Sequence, residues 1–259
     1  MSQKNLEETR VQNLLIHDQD VLVSHAQFAP LLEELELHTL AQGIQYDPFA
    51  TQVLCDAIVA LGLFLGFRPA DESVAWTISI QEPRLNLFVA GNPHSEQIVG
   101  RAFNEGVQPR KENLFISQIQ RVGGEPTKST VAVEGIDTFA MVESFHRQSE
   151  QRPVRYFHTE NSDLLLQTLP ETDLDWFQKI GIDEVLSFLE NPTIRKLNTR
   201  PLHFQCGCDR GNIAEVLAQM YGSDPDALFE GEEEVRVECP RCGAGLRITR
   251  DRFDRSARD

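Results

Sequence analysis

The chain is short of positive charge. Only 24 lysines and arginines stand against 40 aspartates and glutamates in 259 residues, for a formal net charge of −16 and a pI of about 4.8. So acidic a surface repels phosphate backbones and anionic lipid heads, so neither nucleic acid nor membrane is an expected partner. Long apolar runs are missing too. The longest extends from about Ala57 to Phe67 and is broken by glycines, whereas a bilayer span needs roughly 20 apolar residues. The opening MSQKNLEETRVQNLL is polar and lacks the basic-then-apolar order of a secretory signal, so the expectation is a cytoplasmic protein. There is no phosphate loop, nucleophile elbow or paired acid–base signature, which argues against an enzyme. There is no internal repeat or long low-complexity tract.

Cysteine is scarce: five residues, four of them near the C-terminus. In a reducing compartment this is not a permanent disulfide framework; paired cysteines there bind metal or do redox chemistry.

The 41% hydrophobic content suits a globular fold with a real core. VQNLLIHDQDVLV (11–23) reads as strand pieces around an Asp-Gln-Asp turn. Leu31, Leu32, Leu35 and Leu37 fit a helix from about Ala29, and the stretch Phe49 to Phe64 is apolar nearly all round, as in a buried helix. The period then changes to two. Segments 73–80, 85–91, 97–103, 114–120 and 129–135 read as strands separated by Asn, Pro and Gly. A helix over 137–151, with Asp137 as N-cap, precedes a hairpin over 154–159 and 163–168. The expected fold class is α+β: an N-terminal domain (1–170) of antiparallel strands packed with helices, a short helical linker (171–202) and a small C-terminal zinc-binding domain (203–259).

The linker contains a helix, Ile182 to Leu189, stopped by Asn191-Pro192. Its Trp176, Phe177, Ile180 and Phe188 are too apolar for a free connector and are expected to dock on the first domain. In the tail, Asp209 caps a helix through Tyr221 whose apolar face is Ile213, Val216, Leu217 and Met220, with Gly222 at its end. EVRVECPRCGAGLRIT (234–249) reads as a hairpin.

That hairpin carries Cys239 and Cys242 as CxxC, followed by Gly243 and Gly245; Cys206 and Cys208 form CxC around a permissive Gly207, with thirty residues between Cys208 and Cys239. Four thiolates suit one tetrahedral Zn²⁺. Four buried thiols, or a thiol–disulfide exchanger, are the alternatives. The exchanger motif usually opens a helix beside a parallel sheet, and this CxxC lies between short strands. The tail has few large apolar groups and would depend on its metal, which contributes about 10–16 kcal/mol in small modules.

FQCGCDRGNIAEVL followed by VRVECPRCGAGLRIT resembles the zinc domain of the heat shock protein 33 (33 kDa chaperonin) family. VAVEGIDTFAMVESFHRQSEQRPVRYFHT, WTISIQEPRLNLFVAGN, IVGRAF and LLLQTLP resemble its N-terminal domain. The resemblance implies a redox-regulated, ATP-independent holdase, inactive when reduced and zinc-bound. On oxidation Cys206–Cys208 and Cys239–Cys242 become disulfides, zinc leaves, the linker unfolds, unfolding client proteins bind, and active chains pair as homodimers. Two such local disulfides give about 3.5 kcal/mol together by loop entropy, far less than the metal they replace. The linker here is shorter than the family's, and QEPRLN stands where the family has a glycine-rich turn. A zinc-stabilised interaction module without a switch is therefore the alternative function.

Other residues have plainer readings beside functional ones. Cys55 is a core thiol or a redox partner. His203 is a neighbour of the metal site or a replacement ligand. The acidic run Asp224 to Glu238 is a solvated face. Arg236, Arg241, Arg247 and Arg250 are surface groups or tune the thiolates. Trp176, Phe177 and Phe188 are linker-docking residues or, once exposed, client contacts.

Overall fold

The computed structural model describes residues 8–190, 194–222 and 224–256. The Asn191-Pro192 helix stop lies outside the described residues.

Alternating apolar segments build one ten-stranded sheet. Its strands in chain order are β1 (Thr9–Ile16), β2 (Val21–Ala26), β3 (Glu72–Gln81), β4 (Arg84–Asn92), β5 (Gln97–Phe103), β6 (Asn113–Arg121), β7 (Thr127–Val133), β8 (Val154–His158), β9 (Asp163–Thr168) and β10 (Arg195–Phe204). Across the sheet they run β7-β6-β3-β4-β5-β10-β1-β2-β9-β8. Every neighbouring pair is antiparallel except β10 on β5. A 3₁₀ turn, His17–Gln19, joins β1 to β2 where the Asp-Gln-Asp turn was expected.

Helix α1 (Ala29–Gln42) runs a turn beyond its expected end and stops at Gly43, whose φ of +68° suits the left-handed cap. Helix α2 (Pro48–Leu65) is capped by Asp47, which accepts from the Ala50 amide at 2.8 Å. It is the core helix, in contact with β2, β4, β5 and β9. Its 18 residues have a mean hydropathy of 1.8, long and apolar enough by length and composition to cross a membrane; 67% of it is buried inside the fold. Trp76, Ile78, Leu87, Val89, Phe115 and Leu165 share its core. Helix α3 (Thr138–Phe145) is shorter than expected and widens into a π turn, His146–Glu150, which lets the adjacent Phe145 and His146 both pack inward.

The connector is helical in α4 (Leu174–Lys179) and α5 (Ile182–Glu190). Its last third differs from the expectation: β10 lies within the sheet rather than on its surface. Five of its residues, Arg195–Thr199, are exposed, so no apolar alternation marks it.

The tail comprises α6 (Arg210–Tyr221), α7 (Asp226–Phe229), β11 (Glu234–Glu238), β12 (Gly245–Thr249) and α8 (Arg250–Ser256). Asp209 caps α6 as expected. The buried stripe of α6 is a correction: Ala214 and Ala218 are buried, Ile213 and Leu217 pack beside them, and Val216 and Met220 are 52% and 67% exposed. Small alanines let α6 approach α8 closely, which turns Val216 and Met220 outward. With Phe229, Ile248 and Phe253 they make a small core of the tail's own.

Candidate metal centre

The four cysteines come from two places. β10 ends at Phe204, pinned by its amide to Glu34 Oε2 (2.6 Å), and the Gln205 amide still bonds Ile98 O (3.0 Å). Cys206, Gly207 and Cys208 then bridge to the α6 cap, where Asn212 Nδ2 donates to Gly207 O at 3.3 Å. Cys239 and Cys242 sit in the β11–β12 turn, closed by Gly243 N to Cys239 O (2.8 Å) and Cys239 N to Ala244 O (2.9 Å). Gly243 has φ +76°, a left-handed turn conformation that favours glycine, and Ile44 Cδ1 packs over it, 2.7 Å from where a Cβ would lie.

All four sulfurs lie within 4.8 Å of one another. Cys206 and Cys239 are 3.8 Å apart and Cys208 and Cys242 3.6 Å. A tetrahedron of Zn–S bonds of about 2.3 Å has edges of about 3.8 Å, whereas a disulfide bond is about 2.05 Å. The donors and spacing fit one four-thiolate Zn²⁺. Cys239 and Cys242 are buried, Cys206 and Cys208 half-buried.

Crowding splits the thiols. A hydrogen bond from Cys242, helped by Cys208 and by the charge of Arg241, carries the Cys206 thiol down to about 5 against the effect of burial. Burial, then the hydrogen bond given to Cys206, pushes Cys208 up to about 12. The bond to Cys206, then burial, raises Cys242. Binding a dication requires the thiols as thiolates and so releases protons.

The cysteine cage is not part of the tail's own core. Cys239, Cys242 and Ala244 belong to the main core, with Cys206 and Cys208 packed against it. Three side chains of the first domain hold the turn by its backbone. His38 donates from Nε2 to Cys242 O (2.9 Å), Arg101 from Nη1 to Cys239 O (3.0 Å), and Gln42 Oε1 accepts from the Gly245 amide (3.2 Å). Arg101 also pairs with Glu238. Sequence reasoning missed these three, because each recognises main chain some 140–200 positions away.

His203 does not join the sulfurs. Its Nδ1 faces Glu34 Oε1 at 3.2 Å and its Nε2 faces Glu8 Oε1 at 3.0 Å, and these carboxylates, Glu34 first, raise its pKa. Cys55 is half-buried on α2, its thiol pushed up to about 11 by burial and Asp56. The acid run is mostly exposed, with Asp226 on Arg250 and Glu234 on Arg247.

Phe177 is 1% exposed beside Leu14, Val21, Val23 and Leu164 of the sheet, with Ile180 and Val185, while Trp176 and Phe188 pack half-buried at the edge of this cluster. Arg155 Nη1 donates to the carbonyls of Phe177, Gln178 and Ile180 at 3.3, 3.2 and 2.5 Å, tying the end of α4 to β8.

A family model described as Hsp33 protein matches residues 10–249. The chain belongs to the Hsp33 family. The 33 kDa chaperonin of Shigella boydii serotype 4 is 24% identical, with 80% of this chain and 82% of that protein covered. That of Escherichia coli strain K12 / DH10B is 24% identical at the same coverage. The solved 33 kDa chaperonin (heat shock protein 33 homolog) of Thermotoga maritima shares the fold at a TM-score of 0.71 and 13% identity, covering 97% of this chain and 98% of its own. The Hsp33 relatives are named chaperonins.

Proposed function

We propose that this Hsp33-family chaperone is a redox-regulated, ATP-independent holdase. Reduced, with Cys206, Cys208, Cys239 and Cys242 around one Zn²⁺, it is closed. Oxidised, it binds unfolding proteins in the cytoplasm and pairs into homodimers. The observation that carries this reading is the cage of four sulfurs within 4.8 Å, shared between the end of a sheet strand and a hairpin turn. Bound zinc would supply the positive charge that holds four thiolates together.

The chain's own residues do the rest. Each disulfide, Cys206–Cys208 and Cys239–Cys242, forms as two thiolates give two electrons to hydrogen peroxide, which takes two protons from water and leaves as two waters. Disulfide sulfurs carry no charge and no longer hold a cation. The turn then keeps its apolar packing and the contacts of His38, Arg101 and Gln42 but not the metal, and the connector keeps the apolar patch around Phe177 and the pairing of β10 with β1. Release of the connector uncovers Leu14, Val21, Val23, Leu164 and Leu166 as client surface.

One observation favours the second reading, a fixed zinc-stabilised module. β10 pairs with β1 through seven residue pairs, Thr9↔Leu202 to Leu15↔Arg195, which anchors the connector in the sheet. The test is aggregation of a heat-unfolding client by light scattering, with a chromogenic chelator reporting zinc. Suppression that appears only with zinc release supports the holdase. Zinc release with unchanged aggregation selects the fixed module.

A further inference from the structure

Strand β10 is the only link between two half-sheets among the described residues. On one side stand β7-β6-β3-β4-β5, on the other β1-β2-β9-β8. Its attachment to β5 is brief, a parallel register of His203↔Gln97 and Phe204↔Ile98. Its attachment to β1 is long, antiparallel and shifted once, at Asn13/Leu14. Over Arg195–Pro201 one edge of β10 is therefore bare, and Pro201, which has no amide hydrogen to give, is tolerated there.

Few side chains of this strand are buried. Leu202 and Phe204 are its buried residues. Leu202 shares the space over Gly62 with the Phe28 ring: a Cβ there would lie 2.6 Å from Phe28 Cε1 and 3.0 Å from Leu202 Cδ2. Phe204 packs on His38 with ring centroids 5.3 Å apart. The rest of its grip is main chain on main chain, a mode that is indifferent to sequence, together with polar side-chain bonds: Arg200 Nη1 donates to Leu65 O (3.3 Å) and Arg68 O (2.8 Å), Asn198 Oδ1 accepts from Asn13 Nδ2 (2.5 Å), and His203 lies between Glu34 and Glu8. β10 also runs directly into Cys206, so it carries any movement of the metal centre.

We infer that β10 occupies a slot which, when vacated, accepts an extended segment of an unfolding polypeptide. The segment adds as an antiparallel strand on β1 and places two large apolar side chains, two residues apart, on Gly62 and His38. The occupant already in place shows what fits: one extended strand with buried apolar side chains at i and i+2 and mostly polar residues elsewhere. A sheet edge opened over Thr9–Leu15 is a template for such a strand. This inference rests on the holdase reading, because oxidation at Cys206 is what frees the strand.

The probe is the fluorescein-labelled decapeptide RKLNTRPLHF, the sequence of residues 195–204, added to the full-length chain. Reduced, zinc-loaded protein should not bind it. Oxidised protein should bind one peptide per chain, slow amide exchange in 9–15, and lose client in competition. A peptide carrying Leu202→Asp and Phe204→Asp should bind at least about tenfold more weakly. Oxidised protein that suppresses aggregation yet ignores the peptide, or binds it without protecting 9–15 or without losing client, overturns the slot and leaves the holdase standing. Peptide binding by protein that suppresses no aggregation refutes the holdase reading and, with it, the client as occupant. An oxidised dimer that the peptide dissolves, with no effect on client, assigns the slot to β10 of a second copy and overturns the client assignment.

Discussion

Arg101 donates to the carbonyl of Cys239 at 3.0 Å across 138 positions of sequence. The same guanidinium pairs with Glu238 and lies over the Phe103 ring, its centre 4.7 Å from the centroid. One side chain of β5 thereby connects the core sheet to the metal-binding turn. Replacement by alanine leaves zinc affinity to the sulfurs but removes a charged hydrogen bond of about 1.5–3 kcal/mol. In reduced Arg101→Ala, hydrogen exchange at 239–245 should rise with zinc still stoichiometric, and aggregation suppression should begin at lower oxidant dose. Unchanged exchange would remove Arg101 from the docking contact.

The connector is fastened at a different place. Phe177 is fully buried against the sheet, and Arg155 collects three carbonyls at the end of α4. Phe177→Ala should cost about 3–5 kcal/mol of docking, and half-buried Trp176→Ala or Phe188→Ala less. Limited proteolysis of reduced protein within 171–190 should accelerate in that order. Equal cleavage in wild type and Phe177→Ala would mean that this segment does not depend on the apolar patch.

Much of this was legible in the sequence, for local reasons. The strands from β3 to β9 and the buried α2 show their periods within single segments, and the cysteine spacing by itself marks two ligand pairs, one of them in a hairpin turn. β10 was not legible. Arg195, Lys196, Leu197, Asn198 and Thr199 are all exposed, and the strand is specified by partners in β1 rather than by its own pattern. The α6 face was misread because Val216 and Met220 look like a core stripe, while the close approach of α8 needs alanines. The backbone grips of His38, Gln42 and Arg101 leave no trace in any short window.

His203 gives a pH signature. Its pKa is raised by Glu34 first and Glu8 next, with Arg10 competing for Glu8 at 2.8 Å. A histidine whose folded pKa lies above its unfolded value of 6.5 contributes stability that is full below 6.5 and is lost as pH rises through the folded value. Melting curves of wild type and His203→Gln should therefore differ most in mild acid and converge above the folded pKa. A difference that grows with pH would contradict the clasp.

Oxidised pairing decides between the two functional readings. The short sulfur contacts run across the site, Cys206 to Cys239 and Cys208 to Cys242, bridging 33 and 34 positions. Closed as disulfides, they would staple the strand end to the hairpin, the first adding about 4 kcal/mol by loop entropy and the second, closing only a short ring, less. That molecule would stay docked and inactive. Neighbour pairs, Cys206–Cys208 and Cys239–Cys242, constrain far less, about 3.5 kcal/mol together, and leave the two halves free to part. Peroxide treatment, alkylation of remaining thiols and peptide mapping under non-reducing conditions should yield the neighbour pairs, with Cys55 alkylated only after unfolding because its thiol sits near 11. A map dominated by cross-pairs would identify a fixed module whose oxidation tightens it.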